Sequence, residues 1–153
     1  MKLRQILYEI TLSDLDKKYK GKYFHGSPDI SYLKSVNDID PKKAFRRVTK
    51  SPYFFIAVDI HDAIKYANKR SNGNPKSGIG IFDLNKSKQY VLDKPEDLKI
   101  VGSSWENYMK FLAGLKKQGI NSVSVPDHDN GIIIILNKNI LTLLDVIYLK
   151  DIE

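Results

Sequence analysis

The sequence predicts an α+β domain, and three observations carry that prediction. Runs of aromatic and β-branched residues outnumber the helical patterns, and the two kinds do not alternate in the order that a parallel sheet with crossover helices requires. A chain of 153 residues, 42% of them hydrophobic, holds apolar side chains for one core and too few residues for two. Residues 1–20 read as an N-terminal helical extension and residues 21–153 as the main domain.

The elements follow in order. Residues 3–10, LRQILYEI, place Leu3, Ile6, Leu7 and Ile10 at helical spacing, and Ser13 with Asp16 three residues later marks a second short helical turn. In KYFHGSPDI, residues 22–30, the aromatic pair Tyr23 and Phe24 runs into His25, Gly26, Ser27 and Pro28, a strand that ends on a polar tip. Residues 28–50 keep little period and read as a loop with one helical turn, a length that in compact domains is often functional. The run from Tyr53 to Val58 suits a buried strand, and Asp59 caps a helix with Ala63, Tyr66 and Ala67 on one face. SNGNPKSG is a turn, and GIGIFDL and KQYVLD are strands. Gly78 and Gly80 lack the third glycine and the following helix of a dinucleotide fingerprint, so a Rossmann fold is excluded. Ser103 with Glu106 forms a capping box that opens WENYMKFLAGLKKQG, whose stripe is Trp105, Tyr108, Met109, Leu112 and Leu115 and whose end is Gly119. INSVSV is a strand, PDHDNG a tight polar turn, GIIIIL a buried strand and DVIYL the last strand.

The chain has no cysteine, which excludes disulfides, thiolate nucleophiles and cysteine-bound zinc or iron-sulfur centres. Arg4 and Glu9 interrupt the apolar residues of the first segment, so it does not read as a signal peptide, and no apolar run reaches the length of a membrane span. A soluble, cytoplasmic protein without a membrane partner is expected. The formal charge of +7 is uneven: residues 1–80 carry 16 Lys or Arg against 8 Asp or Glu, and residues 81–153 carry 9 against 10. Such a basic half attracts nucleic acid, a phosphorylated cofactor or an acidic protein alike. His25, His61, Asp127, His128 and Asp129 are potential metal ligands, yet none of their spacings matches a closed metal pattern, so no metal is expected.

Three polar points stand at the ends of apolar strands, and their order resembles the ADP-ribosyltransferases of the diphtheria-toxin and poly(ADP-ribose) polymerase type. The first family motif is an aromatic followed by His-Gly-Thr or His-Gly-Ser, and here Tyr23, Phe24, His25, Gly26 and Ser27 stand in that form. The second is a strand ending in Tyr-Phe-Ala or Ser with a second tyrosine on the next helix; it is matched by Phe55, Ile56 and Ala57, then by Ala63, Ile64, Lys65, Tyr66 and Ala67. The third, a glutamate near the start of a late strand, is missing, since Gly131 opens GIIIIL. An aspartate takes that role in a phage-encoded anti-CRISPR member of the superfamily. There the first motif is Phe-His-Thr-Ser-Pro and the acid lies in Val-Ser-Met-Gln-Asp; FHGSP and VSVPD are similar here and point to Asp127, with Asp129 as second choice.

The resemblance spans roughly residues 22–149 and implies split antiparallel sheets flanked by short helices, with NAD as co-substrate in a cleft between them. It implies a mono-ADP-ribosyltransferase whose acceptor is a macromolecule, a host protein in the phage case. Asp127 would stabilise the charge that develops at the ribose as nicotinamide leaves, and would orient the acceptor. His25 would bind the adenosine ribose, Gly26 would offer its backbone to the nicotinamide amide, Tyr66 would stack on the nicotinamide and Phe55 would pack beneath it. Ser27 and Ala57 complete the motifs, and Arg46 and Arg47 would pair with the pyrophosphate. Two further readings stand beside this one. A binding module of the same fold is motivated by the missing glutamate and by Phe55. A nucleic-acid-directed transferase, or an enzyme removing an RNA 2′-phosphate, is motivated by the basic residues between Lys42 and Lys50.

Overall fold

The computed structural model describes residues 10–39, 53–68 and 73–152. Residues 3–9 of the first expected helix, residues 40–50 of the loop with Arg46 and Arg47, and the start of the SNGNPKSG turn lie outside those residues.

The described chain begins with helix α1 (Leu12–Lys18). Thr11, not Ser13, is its N-cap, because the Thr11 hydroxyl accepts from the Asp14 N–H while Ser13 already lies inside the helix. Strand β1 (Tyr23–Ser27), a 3₁₀ turn at Val36–Asp38 and strand β2 (Phe54–Ala57) follow, then helix α2 (Ile60–Asn68) and strands β3 (Gly78–Leu84) and β4 (Gln89–Val91). Helices α3 (Pro95–Ser103) and α4 (Trp105–Lys117) separate β4 from β5 (Ser122–Val125), and β6 (Ile132–Ile135) and β7 (Leu141–Tyr148) end the sheet. The class is α+β, as expected.

All seven strands join in the order β4-β5-β6-β2-β1-β3-β7. Every pairing is antiparallel except β4 with β5, which is parallel. A purely antiparallel sheet was expected, and α3 with α4 explains the departure, because a parallel neighbour needs a crossover of a dozen or more residues. Helix α3 went unread. Pro95 at its start and Glu96 and Asp97 in its first turn are ordinary helix-opening signals, and its last residue is Ser103. The cap of α4 therefore falls on Ser104, whose hydroxyl accepts from the Asn107 N–H, rather than on Ser103.

Two separate sheets were also expected, and the structure instead has one hydrogen-bonded order with a weak seam. β1 meets β2 through the single pair Phe24 and Ala57, whereas β1 meets β3 through five pairs and β2 meets β6 through four. At this seam the sheet folds over. In a flat sheet the register would place Phe54 level with Ser27 and Phe82 level with Tyr23, about 16 Å apart by strand spacing and rise. Their ring centroids are 5.9 Å apart.

The fold creates three apolar layers. The half β1-β3-β7 and the half β2-β6-β5-β4 enclose Tyr23, Phe82, Phe54, Ile56, Ile133 and Leu141 between them. Helices α1 and α2 cover the outer face of the first half with Leu15, Ile60 and Ala63 against Phe24, Ile79 and Ile81. Helix α4 covers the second half with Leu112 and Leu115 against Val123 and Ile134. Among the described residues no helix is long and apolar enough to cross a membrane.

Candidate functional site

His25 lies at the seam. One residue past the Phe24–Ala57 pair, its side chain does what the missing ladder would have done: the ring Nδ1–H donates to the Phe55 carbonyl oxygen at 2.7 Å. A carbonyl only accepts, so Nδ1 carries the proton. The ring is buried and lies 4.1 Å from the Phe54 ring, and burial lowers its pKa to about 4, against a smaller opposing effect of the bond to Phe55. At neutral pH the imidazole is uncharged, and Nε2 is a bare acceptor. Nε2 is also fully covered, with no hydrogen-bond partner among the described residues.

Gly26 faces the other way, onto α2. A Cβ there would lie 1.7 Å from the Ala63 carbonyl oxygen and 2.9 Å from the Ala67 nitrogen. The close approach that calls for glycine is thus made by the chain's own helix. Ser27 is buried, and its hydroxyl donates to the Asp29 carbonyl at 2.9 Å and accepts from the Asp29 N–H at 3.3 Å, a local turn around Pro28. Ala57 is buried at the seam pair, and Phe55 packs with the α4 layer, on the side of its half away from His25.

The 126–131 turn is fastened to α2 by two contacts one helical turn apart. The Tyr66 hydroxyl donates to Asp129 Oδ2, and the buried Asp62 carboxylate accepts from the Asn130 backbone N–H and side-chain amide, each at 3.2 Å. Burial first, then the bond to Asp129 and the charges of Asp129 and Asp62, hold the Tyr66 phenol well above its ordinary pKa. Asp129 takes a positive φ of 50°, and His128 Nε2 stands 3.5 Å from the same Oδ2. Gly131, at φ 106°, passes the chain into β6 while its carbonyl accepts from the Val58 N–H at 3.1 Å. Asp127 is exposed, and its carboxylate has no hydrogen bond or ion pair among the described residues.

The structure therefore brings Tyr66 and Asp129 together and leaves Asp127 on the outer side of the turn. His25 and the Tyr66–Asp129 pair issue from opposite faces of the sheet, joined by the seam at which the halves part. Asp62 and Asn130 belong to none of the sequence motifs. Asp62 stands four residues before Tyr66, a spacing that puts both on one helix face, but nothing in the sequence ties either to a turn more than sixty residues away. Beside the turn, His61 Nδ1 lies 2.8 Å from Asp59 Oδ1, which also accepts from the His61 N–H. Burial acts to raise the Asp59 carboxyl, and these bonds outweigh it, so its pKa lies below the ordinary value.

Among the described residues no three His, Asp or Glu side chains converge as a metal site would require. A cleft of about 510 Å³ opens elsewhere, beside Tyr53, Ile120, Asn137 and Lys138, and shares only Phe54 with the seam. Its polar residues are chiefly turn formers, Asn137 holding the Asn139 N–H, whereas His25 and the Tyr66–Asp129 pair lie at the seam and the turn.

The fold and these contacts define an α+β protein with a seamed mixed sheet and a carboxylate turn clamped to a helix. No family model, curated protein or solved structure matches the chain.

Proposed function

We propose that this protein is an NAD-dependent mono-ADP-ribosyltransferase that modifies a macromolecule, a protein of the host cell. One observation carries the reading: the neutral, buried His25, whose Nε2 is an acceptor with no donor among the described residues, at the seam where the two half-sheets part. A buried polar atom left unpaired costs about 1–3 kcal/mol, a cost that a functional ligand removes. A ribose hydroxyl supplies the missing donor. NAD fits that requirement and supplies the bond between nicotinamide and ribose that the reaction breaks.

The chain's own groups then take separate parts. His25 orients the adenosine ribose through Nε2, with its tautomer fixed by the Phe55 carbonyl. Asp129 or Asp127 places an anion beside the charge that develops on the nicotinamide ribose, and the Tyr66 ring gives the nicotinamide a flat apolar wall. Asp129 is the better held of the two acids, since it is fastened by Tyr66, whereas Asp127 is free to meet an acceptor.

The test is nicotinamide release from NAD by the parent, Asp127→Ala and Asp129→Ala proteins, with and without host lysate, followed by intact mass of the lysate proteins. The expected result is release that falls at least about 100-fold when the catalytic acid is removed, with an ADP-ribose adduct on a lysate protein. Release that neither substitution touches would refute the assignment of the turn. A second reading has its own observation, because the Asp129 carboxylate is already engaged by Tyr66: a module that binds NAD or ADP-ribose without turnover. Tight binding by calorimetry with no nicotinamide released under any condition would favour it.

A further inference from the structure

We propose that Asp62 is a positioning residue that, through Asn130, holds the 126–131 turn on α2 so that Asp129 is presented at Tyr66. The proposal rests on the reading of the turn as the acid-bearing part of the site. It starts from a carboxylate that the sequence motifs do not account for. Asp62 lies in the first turn of α2, where an acid suits the helix dipole with its side chain in water. It is 8% exposed instead. A carboxylate is buried at a cost unless donors meet it, and the donors here are the backbone N–H and the amide of Asn130.

The geometry of the neighbours says what this contact does. Asn130 is adjacent to Asp129, and Asp62 and Tyr66 are four residues apart on α2, so two successive residues of the turn meet two successive turns of one helix face. A single contact between Tyr66 and Asp129 would leave the turn free to pivot. The second contact fixes it, and it grips the backbone as well as the side chain of Asn130. Asp129 needs that restraint, because its φ of 50° belongs to a region that residues with a Cβ adopt at a cost and keep only when the surroundings hold them. The peptide after Asp129 is thus anchored by Asp62, and Gly131 is anchored by the bond from Val58. The Asp62 carboxylate is taken up by Asn130, so it acts through the placement of Asp129.

Two variants test this, Asp62→Ala and Asn130→Ala, the second exposed and therefore safe for folding. The first readout needs no activity: the ring ¹³Cζ resonance of Tyr66 in tyrosine-labelled protein, assigned with Tyr66→Phe and compared with Asp129→Ala. Asp62→Ala is expected to move the Tyr66 resonance to where Asp129→Ala puts it, and Asn130→Ala, which keeps its backbone N–H bond to Asp62, part of the way, while Tyr19 and Tyr90, bonded to other carboxylates, stay in place. The second readout is nicotinamide release, where kcat should fall about 100-fold with KM for NAD unchanged, as expected when a reacting group is displaced by about 1 Å. A Tyr66 resonance that moves in neither variant overturns the inference, whatever the activity. A parent protein that releases no nicotinamide defeats the transferase reading instead, and the resonance then decides the clamp alone.

Discussion

His25 is the residue at which fold and proposed function make opposite demands. The fold uses Nδ1 to close a gap in the ladder and buries the ring against Phe54, which forces the neutral form. The function uses what is left over, the bare Nε2. Burial has a pH signature whose sign follows directly. The folded pKa, about 4, lies below the unfolded value of 6.5, so between those pH values the unfolded chain takes up a proton that the folded chain refuses. The stability contributed by the neutral ring is whole above pH 6.5, declines as pH falls, and is short by about 3 kcal/mol at pH 4. Urea unfolding of the parent and of His25→Gln between pH 4 and 7 should show the two stabilities converging as pH falls by that amount. Parallel curves would mean that His25 titrates normally and that its ring is open to water. Here the sequence was informative only in part: a histidine at a strand tip was visible in FHGSP, but its tautomer depends on Phe55, a residue thirty positions away.

At the scale of elements, helix α2 does most to assemble the site, since it packs on Gly26 of β1, carries Tyr66 and Asp62, and leads out of β2. Its seating on β1 depends on one missing methyl group. Gly26→Ala places a carbon 1.7 Å from the Ala63 carbonyl, a backbone atom that moves only with the helix. The substitution should cost at least about 3 kcal/mol, at the upper end of overpacking in a closed interior. Gly114→Ala, inside α4 with nothing within 4 Å of the new carbon, should stabilise the protein by about 1 kcal/mol through helix propensity. Denaturant midpoints of the two variants check both signs, and a tolerated Gly26→Ala would return the glycine to a role at a ligand. Which elements could be read in advance follows from what each depends on. β2 and β6 are dense β-branched or aromatic runs, and α4 has a wide apolar stripe; such patterns are local and were legible. Helix α3 buries little besides Asp97 and has almost no stripe, so only its Pro95 and acidic start announced it. The parallel pairing of β4 with β5 was hidden for the same reason, because it follows from the crossover that α3 helps to build.

For the whole molecule, the question is whether the seam divides the fold into two independent halves. One backbone pair, Phe24 with Ala57, is too little to couple them, and the coupling falls to the layer between the halves and to α2, which packs on the first half and holds the turn before β6. Phe54 is central there, tilted against the His25 ring at 4.1 Å and edge-on to Phe82 at 5.9 Å, so a ring of one half touches two strands of the other. Since that layer is shared rather than owned by either half, the parent should unfold in one step. Far-UV circular dichroism, which sees every strand and helix, should coincide with the fluorescence of Trp105, the single tryptophan, which reports on α4 and its half alone. Phe54→Ala should cost about 3–5 kcal/mol, the usual loss for a large buried ring, and it removes the contact that ties the seam together. If the Trp105 transition then separates from the circular dichroism transition, the halves are coupled through Phe54. Were the two transitions already separate in the parent, the seam would be a true division between folding units, and a ligand bridging His25 and the Tyr66–Asp129 pair would join two parts that the chain itself leaves loosely connected.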